Sequence, residues 1–570
     1  MEISRPNRFF LPQDYRITSW DKLKPYYDIL ASESIASVAE LELWLLKRSE
    51  LESVVSEDLA WRYIRMTCDT TNKEIEQDYL FFVQEIEPPL SPYNDLLNKK
   101  LVEANSKYPL TAETYFVYLR GVKKEIEIFR EENIPLFTEL STLAQQYAAI
   151  NAKMTISYEG KEQTLQQAAN YLKNPDRKIR EAVYYLIANR RLEDKNALDD
   201  LFNKLVTLRH QVATNAGFHN FRDFMFAALG RFDYTSADCE KFHSSVKEQI
   251  VPFMNERARK RRAELKLAGL KPWDMDVDTE GKPTMKPFTD GDDLTRRGIA
   301  CFEKVDPYFA DCLSTMQQLK HLDLDSRIGK APGGYNYPLA EIGAPFIFMN
   351  AAGNIRDLQT LVHEGGHAVH SFLTKDMALN AFKNTPSEVA ELASMSMELI
   401  SMDGWDAFNF SPDELRRAFI DQLENALETL PWVATVDKFQ HWIYTNPSHT
   451  VEERTQAWVE IFDEFNMQEV DFTGQETYRA NAWHKQIHIF EVPFYYIEYG
   501  FAQLGAIAMW KNYKLDKVKG LENYKAALKL GYSKPIGEIY QTGGIQFNFS
   551  NEYVFQLKEF VENELTKLEN

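Results

Sequence analysis

One pentapeptide, His-Glu-Gly-Gly-His at residues 363–367, constrains the fold of this chain more than any other feature. Side chains four residues apart lie on one face of an α-helix, so His363 and His367 can reach one metal ion if this segment is helical. In zinc hydrolases with this pattern, the carboxylate between the histidines, here Glu364, is the general base. With only 11 histidines in 570 residues, the pattern seldom arises by chance. The pentapeptide therefore predicts a metal-binding helix.

The residues before the pentapeptide support this helix. A short apolar strand is predicted at residues 346–350, and Gly353 marks the break between this strand and the following helix. Asn354 is a candidate N-cap, and Asp357 stands where its carboxylate can bond back to the helix start. Core-facing side chains follow at helical spacing: Ile355, Leu358, Val362, Ala368, Val369 and Phe372.

The third metal ligand does not follow directly after the pentapeptide. The extended HExxHxxGxxH pattern fails, because His370 stands in place of its glycine and Leu373 in place of its last histidine. His370 is expected either to be structural or to support a ligand without touching the metal, since a fourth protein ligand would fill the position that catalysis needs. The remaining arrangement takes a carboxylate from a second helix.

A second helix is predicted downstream, with Thr385 as N-cap and Gly404 as its end. It carries three candidate carboxylates, Glu388, Glu391 and Glu398. Glu391 and Glu398 share one helical face, so one can bind the metal while the other orients an imidazole. Spacing alone does not choose between Glu388 and Glu391.

Several segments resemble the oligoendopeptidase F branch of the thimet oligopeptidase family. They are residues 346–350, residues 363–371, and Glu-Leu-Ala-Ser at 391–394 followed by Glu398, with further similarity at 156–162 and 270–274. The similarity runs from about residue 150 to about residue 560. It implies one zinc ion per chain, bound by His363, His367 and Glu391, with Glu398 supporting a ligand from behind.

The resemblance also implies a fold. It is expected to be mainly α, zincin-like and neurolysin-like, with two helical lobes around a deep substrate channel and a small β-sheet beside the zinc helix. Residues 1–160 would form an N-terminal helical region, and residues 161–570 the catalytic domain. Strand signals are few, chiefly at 154–158 and 346–349, in agreement with this fold. The strand at 346–350 is expected to pair with an extended peptide.

A segment near the C-terminus supplies candidate donors for the oxyanion of peptide hydrolysis. Family members carry a histidine followed by closely spaced tyrosines here, which places these roles on His488, Tyr496 and Tyr499. The interval after His488 differs by about one residue from the family pattern, so Tyr495 is an alternative to Tyr496.

The resemblance therefore predicts a zinc-dependent endopeptidase that cleaves short, unfolded peptides, with Glu364 as general base. One alternative is a metallocarboxypeptidase on a related helical zinc scaffold, which would need a basic group to bind the terminal carboxylate. A second alternative is a catalytically silent peptide-binding protein.

Composition limits the classes of partner and the cellular compartment that can be expected. The net charge of −20 argues against nucleic acid as a partner. No uncharged apolar run reaches membrane-spanning length, so no membrane partner is expected. The four cysteines include no CxxC pair, which disfavours a disulfide framework and a cysteine zinc site. A cytoplasmic location is expected.

Two further groups of polar residues are interpreted as structural. Asp274, Asp276 and Asp278 alternate like ligands of a calcium loop, but the required glycine and glutamate positions do not match, so an exposed acidic loop is expected. Other histidines lack ligand spacing and are expected at the surface or bonded in the core. They are His210, His219, His243, His321, His441 and His449.

Overall fold

The computed structural model describes residues 3–570, and most of them lie in α-helices. The predicted mainly α fold is therefore confirmed. Buried apolar side chains form two main cores, a smaller one near the N-terminus and a larger one that contains the pentapeptide helix. The boundary between residues 160 and 161 stays a prediction.

The smaller core includes Leu41, Trp44, Phe82 and Leu101, all of them buried. The helices of this part of the chain are α1 (Trp20–Ser32), α2 (Val38–Cys68), α3 (Lys73–Phe81), α4 (Glu87–Lys107), α5 (Ala112–Ile128) and α6 (Ile134–Ala152).

A β-hairpin follows, made of β1 (Thr155–Tyr158) and β2 (Lys161–Thr164). Glu159 and Gly160 form its two-residue turn, with φ of 52° and 74°. Positive φ at both central residues matches the right-handed twist of the strands, which is why such turns close hairpins. The strand predicted at 154–158 is confirmed apart from its first residue.

Seven helices connect this hairpin to a second sheet. They are α7 (Leu165–Ala169), α8 (Arg177–Glu193), α9 (Lys195–Asn215), α10 (Phe221–Ala228), α11 (Ser236–Glu264), α12 (Gly291–Val305) and α13 (Pro307–Leu319).

The loop between α11 and α12 differs from the expected acidic loop. Asp274 has no exposed surface, and its carboxylate lies 2.7 Å from Arg177 Nη2 and 2.8 Å from Arg180 Nη2. The expectation of exposure is wrong for Asp274, because two arginines of α8 supply the opposite charge that a buried carboxylate needs.

The second sheet has the order β3-β5-β4, with β3 (Leu322–Asp325), β4 (Tyr335–Tyr337) and β5 (Phe346–Ala351). β5 runs parallel to β3 and antiparallel to β4. Because β5 is central, both of its edges are already paired, and the prediction that residues 346–350 pair with a peptide is wrong. Within residues 3–570, β4 has a neighbour on one side only.

Helix α2 joins the smaller core to this sheet. Leu41, near its start, belongs to the smaller core, whereas Ile64, near its end, packs in a cluster with Phe348 of β5. The hydroxyl of Thr67, also in α2, lies 2.6 Å from that of Tyr335 in β4. One continuous helix therefore contacts both parts of the molecule.

The pentapeptide lies in α14 (Ile355–Thr374), as predicted. Asn354 accepts a hydrogen bond from the N–H of Arg356 at 2.9 Å, and Asp357 accepts one from the N–H of Asn354 at 3.0 Å. These bonds satisfy N–H groups that have no partner inside the helix, so they fix where α14 begins.

After α15 (Asn380–Lys383), the chain forms α16 (Ser387–Ile400), which packs against α14. A β-carbon on Gly366 would lie 2.6 Å from Cα of Ser394, so only glycine allows this approach. The helix starts one residue later than predicted, because Pro386 has an extended ψ of 154° and is itself the N-cap.

The remaining helices complete the larger core. Among them, α21 packs against both α16 and α17. They are α17 (Pro412–Thr445), α18 (Val451–Phe465), α19 (Glu476–Ala480), α20 (Ile487–Glu491), α21 (Tyr496–Leu515), α22 (Lys517–Leu528), α23 (Ile536–Thr542) and α24 (Asn551–Glu569). None of the helices in the described part of the chain has the length and apolar character needed to cross a membrane.

Candidate active site

Three side chains from α14 and α16 converge. His363 Nε2 lies 3.4 Å, and His367 Nε2 3.6 Å, from the same oxygen, Oε2 of Glu391. Glu388, the alternative carboxylate, is not part of this group. It is buried and accepts a hydrogen bond from Tyr234. Packing, rather than spacing, thus distinguishes the two glutamates.

The spacing of these atoms fits a zinc ion. Tetrahedral zinc has bonds of about 2.0–2.1 Å to nitrogen and oxygen, which puts neighbouring ligand atoms about 3.3–3.4 Å apart. The two histidine–glutamate distances, 3.4 and 3.6 Å, are close to this value. Three protein ligands also leave a fourth coordination position open, as in catalytic zinc sites.

A hydrogen-bonded chain supports His363 from behind. Its Nδ1 lies 2.7 Å from Glu398 Oε1, and Gln422 donates to the other oxygen of Glu398 at 2.8 Å. Gln359 in turn donates to Gln422 at 2.9 Å. Because Nδ1 donates to a carboxylate, Nε2 is left bare to bind metal.

The charges around the ligands favour a cation. Burial opposes ionisation of Glu391, yet the two imidazoles outweigh it and lower its pKa to about 2. Burial also opposes a charge on His363, but Glu391 and Glu398 raise its pKa well above the usual range. Burial lowers the pKa of His367 to about 4. The carboxylates thus favour positive charge where a metal would bind.

Glu364 is buried beside the ligands, on α14. Burial raises the pKa of its carboxyl group to about 7. Its backbone carbonyl accepts a hydrogen bond from the Asn336 side chain of β4 at 3.1 Å, which ties the open sheet edge to α14. A carboxylate with a pKa near neutrality can take up a proton and release it again.

His488 and three tyrosines form an aromatic cluster beside Glu391. The ring of His488 lies 4.7 Å from that of Tyr496 and 5.9 Å from that of Tyr499, centre to centre. Tyr495 donates to Glu391 Oε1 at 3.1 Å. The two predicted tyrosines and their alternative therefore all lie at the site, but Tyr495 is the one bonded to a ligand.

The protonation of this cluster suits hydrogen-bond donation. Burial raises the pKa of Tyr496 to about 12, and it also raises the pKa of Tyr499. Both hydroxyls therefore keep their protons at neutral pH. Burial lowers the pKa of His488 to about 4, so its imidazole is neutral.

A residue with left-handed backbone sets the register of the tyrosines. Phe494, directly before Tyr495, is fully buried and has φ of 68°. Its N–H donates to Gln440 Oε1 at 2.7 Å, and its carbonyl accepts a hydrogen bond from Arg231. Arg231 also bonds to Glu498 of α21 at 2.8 Å. These buried partners offset the cost of the left-handed conformation.

Several residues that support the ligands are not among those predicted from the sequence. Ser394 donates to Glu391 Oε2 at 3.0 Å, and its place in the Glu-Leu-Ala-Ser segment was the available signal. Gln359 and Gln422 gave no signal, because their role depends on α14 and α17 being neighbours in space.

Two of the scattered histidines meet in the core, away from the pentapeptide. His243 Nε2 bonds to Asp437 Oδ2 at 2.8 Å, and His441 Nε2 lies 3.2 Å from the same oxygen. His370 is likewise buried, on α14.

The donor set suits zinc, and the adjacent carboxylate suits a base, so fold and site together define a metallopeptidase. Residues 170–558 match peptidase family M3, and residues 10–129 match the peptidase M3 N-terminal domain. The first match alone covers more than half of the chain. The protein therefore belongs to peptidase family M3 and is a metalloendopeptidase.

Curated relatives are distant in sequence. An oligoendopeptidase F homolog of Borreliella burgdorferi is 22% identical over 439 residues, which cover 74% of this chain and 71% of the relative. The chromosomal oligoendopeptidase F of Lactococcus lactis subsp. cremoris is 24% identical, with coverages of 66% and 64%. Oligopeptidase PepF of Bacillus subtilis is 21% identical, with coverages of 68% and 59%.

Solved structures match over nearly the whole length. PZ peptidase A, solved with an inhibitor, has a TM-score of 0.88 and 26% identity, covering 100% of this chain and 98% of that one. Oligoendopeptidase-F from Enterococcus faecium has a TM-score of 0.65 and 14% identity, covering 96% and 97%. The second likeness shows the fold alone.

Proposed function

We propose that the protein is a zinc-dependent endopeptidase that hydrolyses internal bonds of short, unfolded oligopeptides and binds one zinc ion per chain. The observation that carries this proposal is the convergence of His363 and His367 on one oxygen of Glu391, at 3.4 and 3.6 Å, beside the buried carboxyl group of Glu364. The names of the relatives, oligoendopeptidase F among them, support the substrate class.

The residues divide the chemistry between them. Zinc bound by the two histidines and Glu391 would supply a Lewis acid and lower the pKa of a water molecule. Glu364 takes the proton from the attacking water and later delivers it to the leaving amine. Glu398 keeps His363 oriented throughout.

Donors for the oxyanion come from the aromatic cluster. We assign this role to His488, Tyr496 and Tyr499. At neutral pH the two hydroxyls keep their protons, and the neutral imidazole keeps one N–H proton. The hydroxyl of Tyr495 is already engaged by Glu391, which favours a role in orienting that ligand. Donors aimed at the developing charge lower the barrier because they need no rearrangement during the reaction.

The open edge of β4 is the best place for the peptide backbone. β5 cannot accept it, because both of its edges are paired. Strand addition at β4 would place the peptide next to α14, to which Asn336 already connects this strand. A cavity of about 840 Å³ lies at the start of α14, lined in part by Ile355, Arg356 and Gln359 and by no residue of β4.

Replacing Glu364 by glutamine tests this proposal. The amide keeps the shape of the side chain but cannot accept the proton, so kcat should fall by about 10²–10⁴-fold while the zinc content stays at one per chain. Cleavage of an internally quenched peptide and metal analysis would measure the two quantities. Substantial remaining turnover would refute the role of Glu364.

A carboxypeptidase activity is the second candidate. Arg356 lines the cavity, and its guanidinium makes no ion pair with any residue from 3 to 570, so it is a basic group that could receive a terminal carboxylate. Peptides blocked at both ends separate the two activities. Internal cleavage of such peptides would exclude an obligate carboxypeptidase.

We also propose a reducing, cytoplasmic environment. The four cysteines are unpaired, and three of them are buried. This arrangement suits a compartment in which thiols stay reduced.

A further inference from the structure

Trp432, Gln486 and His488 form a hydrogen-bonded relay at the edge of the aromatic cluster. We propose that Trp432 and Gln486 are positioning residues, which fix the single proton of His488 on Nε2 and so make this nitrogen a donor to the oxyanion. This inference rests on the peptidase function proposed above.

The orientation of the Gln486 amide follows from Trp432. The indole nitrogen of Trp432 lies 3.0 Å from Gln486 Oε1. An indole N–H can only donate, so it must meet the oxygen of the amide and not its nitrogen. The amide nitrogen of Gln486 is therefore turned the other way.

The tautomer of His488 follows from Gln486. The amide nitrogen, Nε2, lies 2.7 Å from Nδ1 of His488. An amide nitrogen cannot accept a hydrogen bond, so Nδ1 must be the acceptor and carries no proton. A neutral imidazole has one proton, which must then be on Nε2.

The relay is held in place at both ends. The ammonium group of Lys485 lies 4.9 Å from the centre of the Trp432 ring, and the ring of Trp458 packs against it at 5.9 Å. The side chain of Gln486 is buried, and its backbone N–H donates to Trp483 at 3.0 Å. Burial and these contacts leave the amide little freedom to turn over.

The tautomer matters because of the charge that develops during hydrolysis. His488 packs against Tyr496 and Tyr499, so it belongs to the set of proposed oxyanion donors. With the proton on Nε2 the imidazole stabilises negative charge. With the proton on Nδ1 it would present a lone pair instead and repel that charge.

Single and double variants of the zinc-loaded, full-length protein test the relay. His488→Ala should lower kcat by about 10²–10³-fold, as expected for loss of one oxyanion donor. Gln486→Leu should lower kcat by about 10–100-fold, the usual effect of removing a partner that orients a functional histidine, with little change in KM. Trp432→Phe should have a similar but smaller effect.

The double variant separates positioning from a general structural effect. In the His488→Ala background, Gln486→Leu should lower kcat clearly less than it does in the parent protein, because the part of its effect that passes through His488 is already lost and only its hydrogen bond to Tyr496 remains. Trp442→Phe is the matched control, since this indole is also on α17 but packs against His449 at 5.1 Å, and it should leave kcat unchanged.

Three results would overturn the relay: an unchanged kcat in Gln486→Leu, an equal loss in the His488→Ala background, or nitrogen NMR of His488 showing the proton on Nδ1. The proposed function is tested separately by Glu364→Gln: an active Glu364→Gln variant would refute that function. If Glu364→Gln is inactive and Gln486→Leu is fully active, only the relay is refuted.

Discussion

Gly366 illustrates how one residue inside the motif serves packing rather than metal binding. A methyl group there would lie 2.6 Å from Ser394 Cα and 2.7 Å from the carbonyl oxygen of Ala393. Contacts this short with backbone atoms cannot be relieved by turning a side chain. The glycine therefore allows α14 and α16 to approach until Glu391 reaches the histidines.

Gly366→Ala should for this reason weaken zinc binding and destabilise the fold by about 1–3 kcal/mol, as overpacked cores do. Zinc titration and urea unfolding would measure both effects. Gly121→Ala is the control, because Gly121 lies inside α5 with no atom near its missing β-carbon. That variant should stabilise the protein by up to about 1 kcal/mol. Unaltered zinc affinity in Gly366→Ala would contradict the packing argument.

The carboxyl group of Glu364 predicts a pH dependence of activity. Burial raises its pKa to about 7. The ionised form is the base, so kcat/KM should increase as the pH rises through this pKa and should be low at pH values below it. A bound dication favours the carboxylate and moves the midpoint down toward the ordinary value of about 4.3.

The midpoint of the acidic limb should therefore lie between these two values in the zinc-saturated enzyme. A pH profile at saturating zinc would measure it. A flat profile across this range would show that Glu364 does not titrate as the base.

At the scale of elements, the turn between α20 and α21 decides where the tyrosines point. Gln440→Leu removes the acceptor for the Phe494 N–H and leaves a buried donor without a partner, at a cost of about 1–3 kcal/mol. We expect kcat to fall because Tyr495 and Tyr496 follow Phe494 directly.

Zinc affinity should fall less than kcat in Gln440→Leu, because the ligands lie on α14 and α16 and this turn reaches them only through the bond from Tyr495 to Glu391. Gln440→Glu keeps an acceptor oxygen and should retain more of kcat than the leucine variant. Steady-state kinetics and zinc titration of the two variants would check this order. Equal kcat in both would mean that the turn does not position the tyrosines.

The same elements show what the sequence could and could not predict. Helix α14 and its N-cap were predictable, because Asn354, Asp357 and the apolar spacing are local signals. The sheet order was not, since the central place of β5 depends on pairing with β3 and β4, which carry only four and three residues. The tyrosine register depended on a left-handed Phe494, a conformation that a phenylalanine does not signal.

For the whole molecule, zinc should act as a structural link between α14 and α16. Ligands that bind only the folded state add about 2.7 kcal/mol to the free energy of unfolding at a hundredfold excess over Kd. Removal of zinc with a chelator should therefore lower both activity and the melting temperature, and added zinc should restore them. His367→Ala should show no such response. A melting temperature independent of zinc in the parent protein would contradict the link.

Helix α2 has a mechanical consequence for the molecule as a whole. Its 31 residues make a rod about 46 Å long. One end is embedded in the smaller core, and the other touches the sheet whose β4 strand borders α14. A small rotation of the smaller core about one end of such a rod becomes a larger sideways displacement at the other. A rotation of the smaller core would in this way shift the sheet that borders α14.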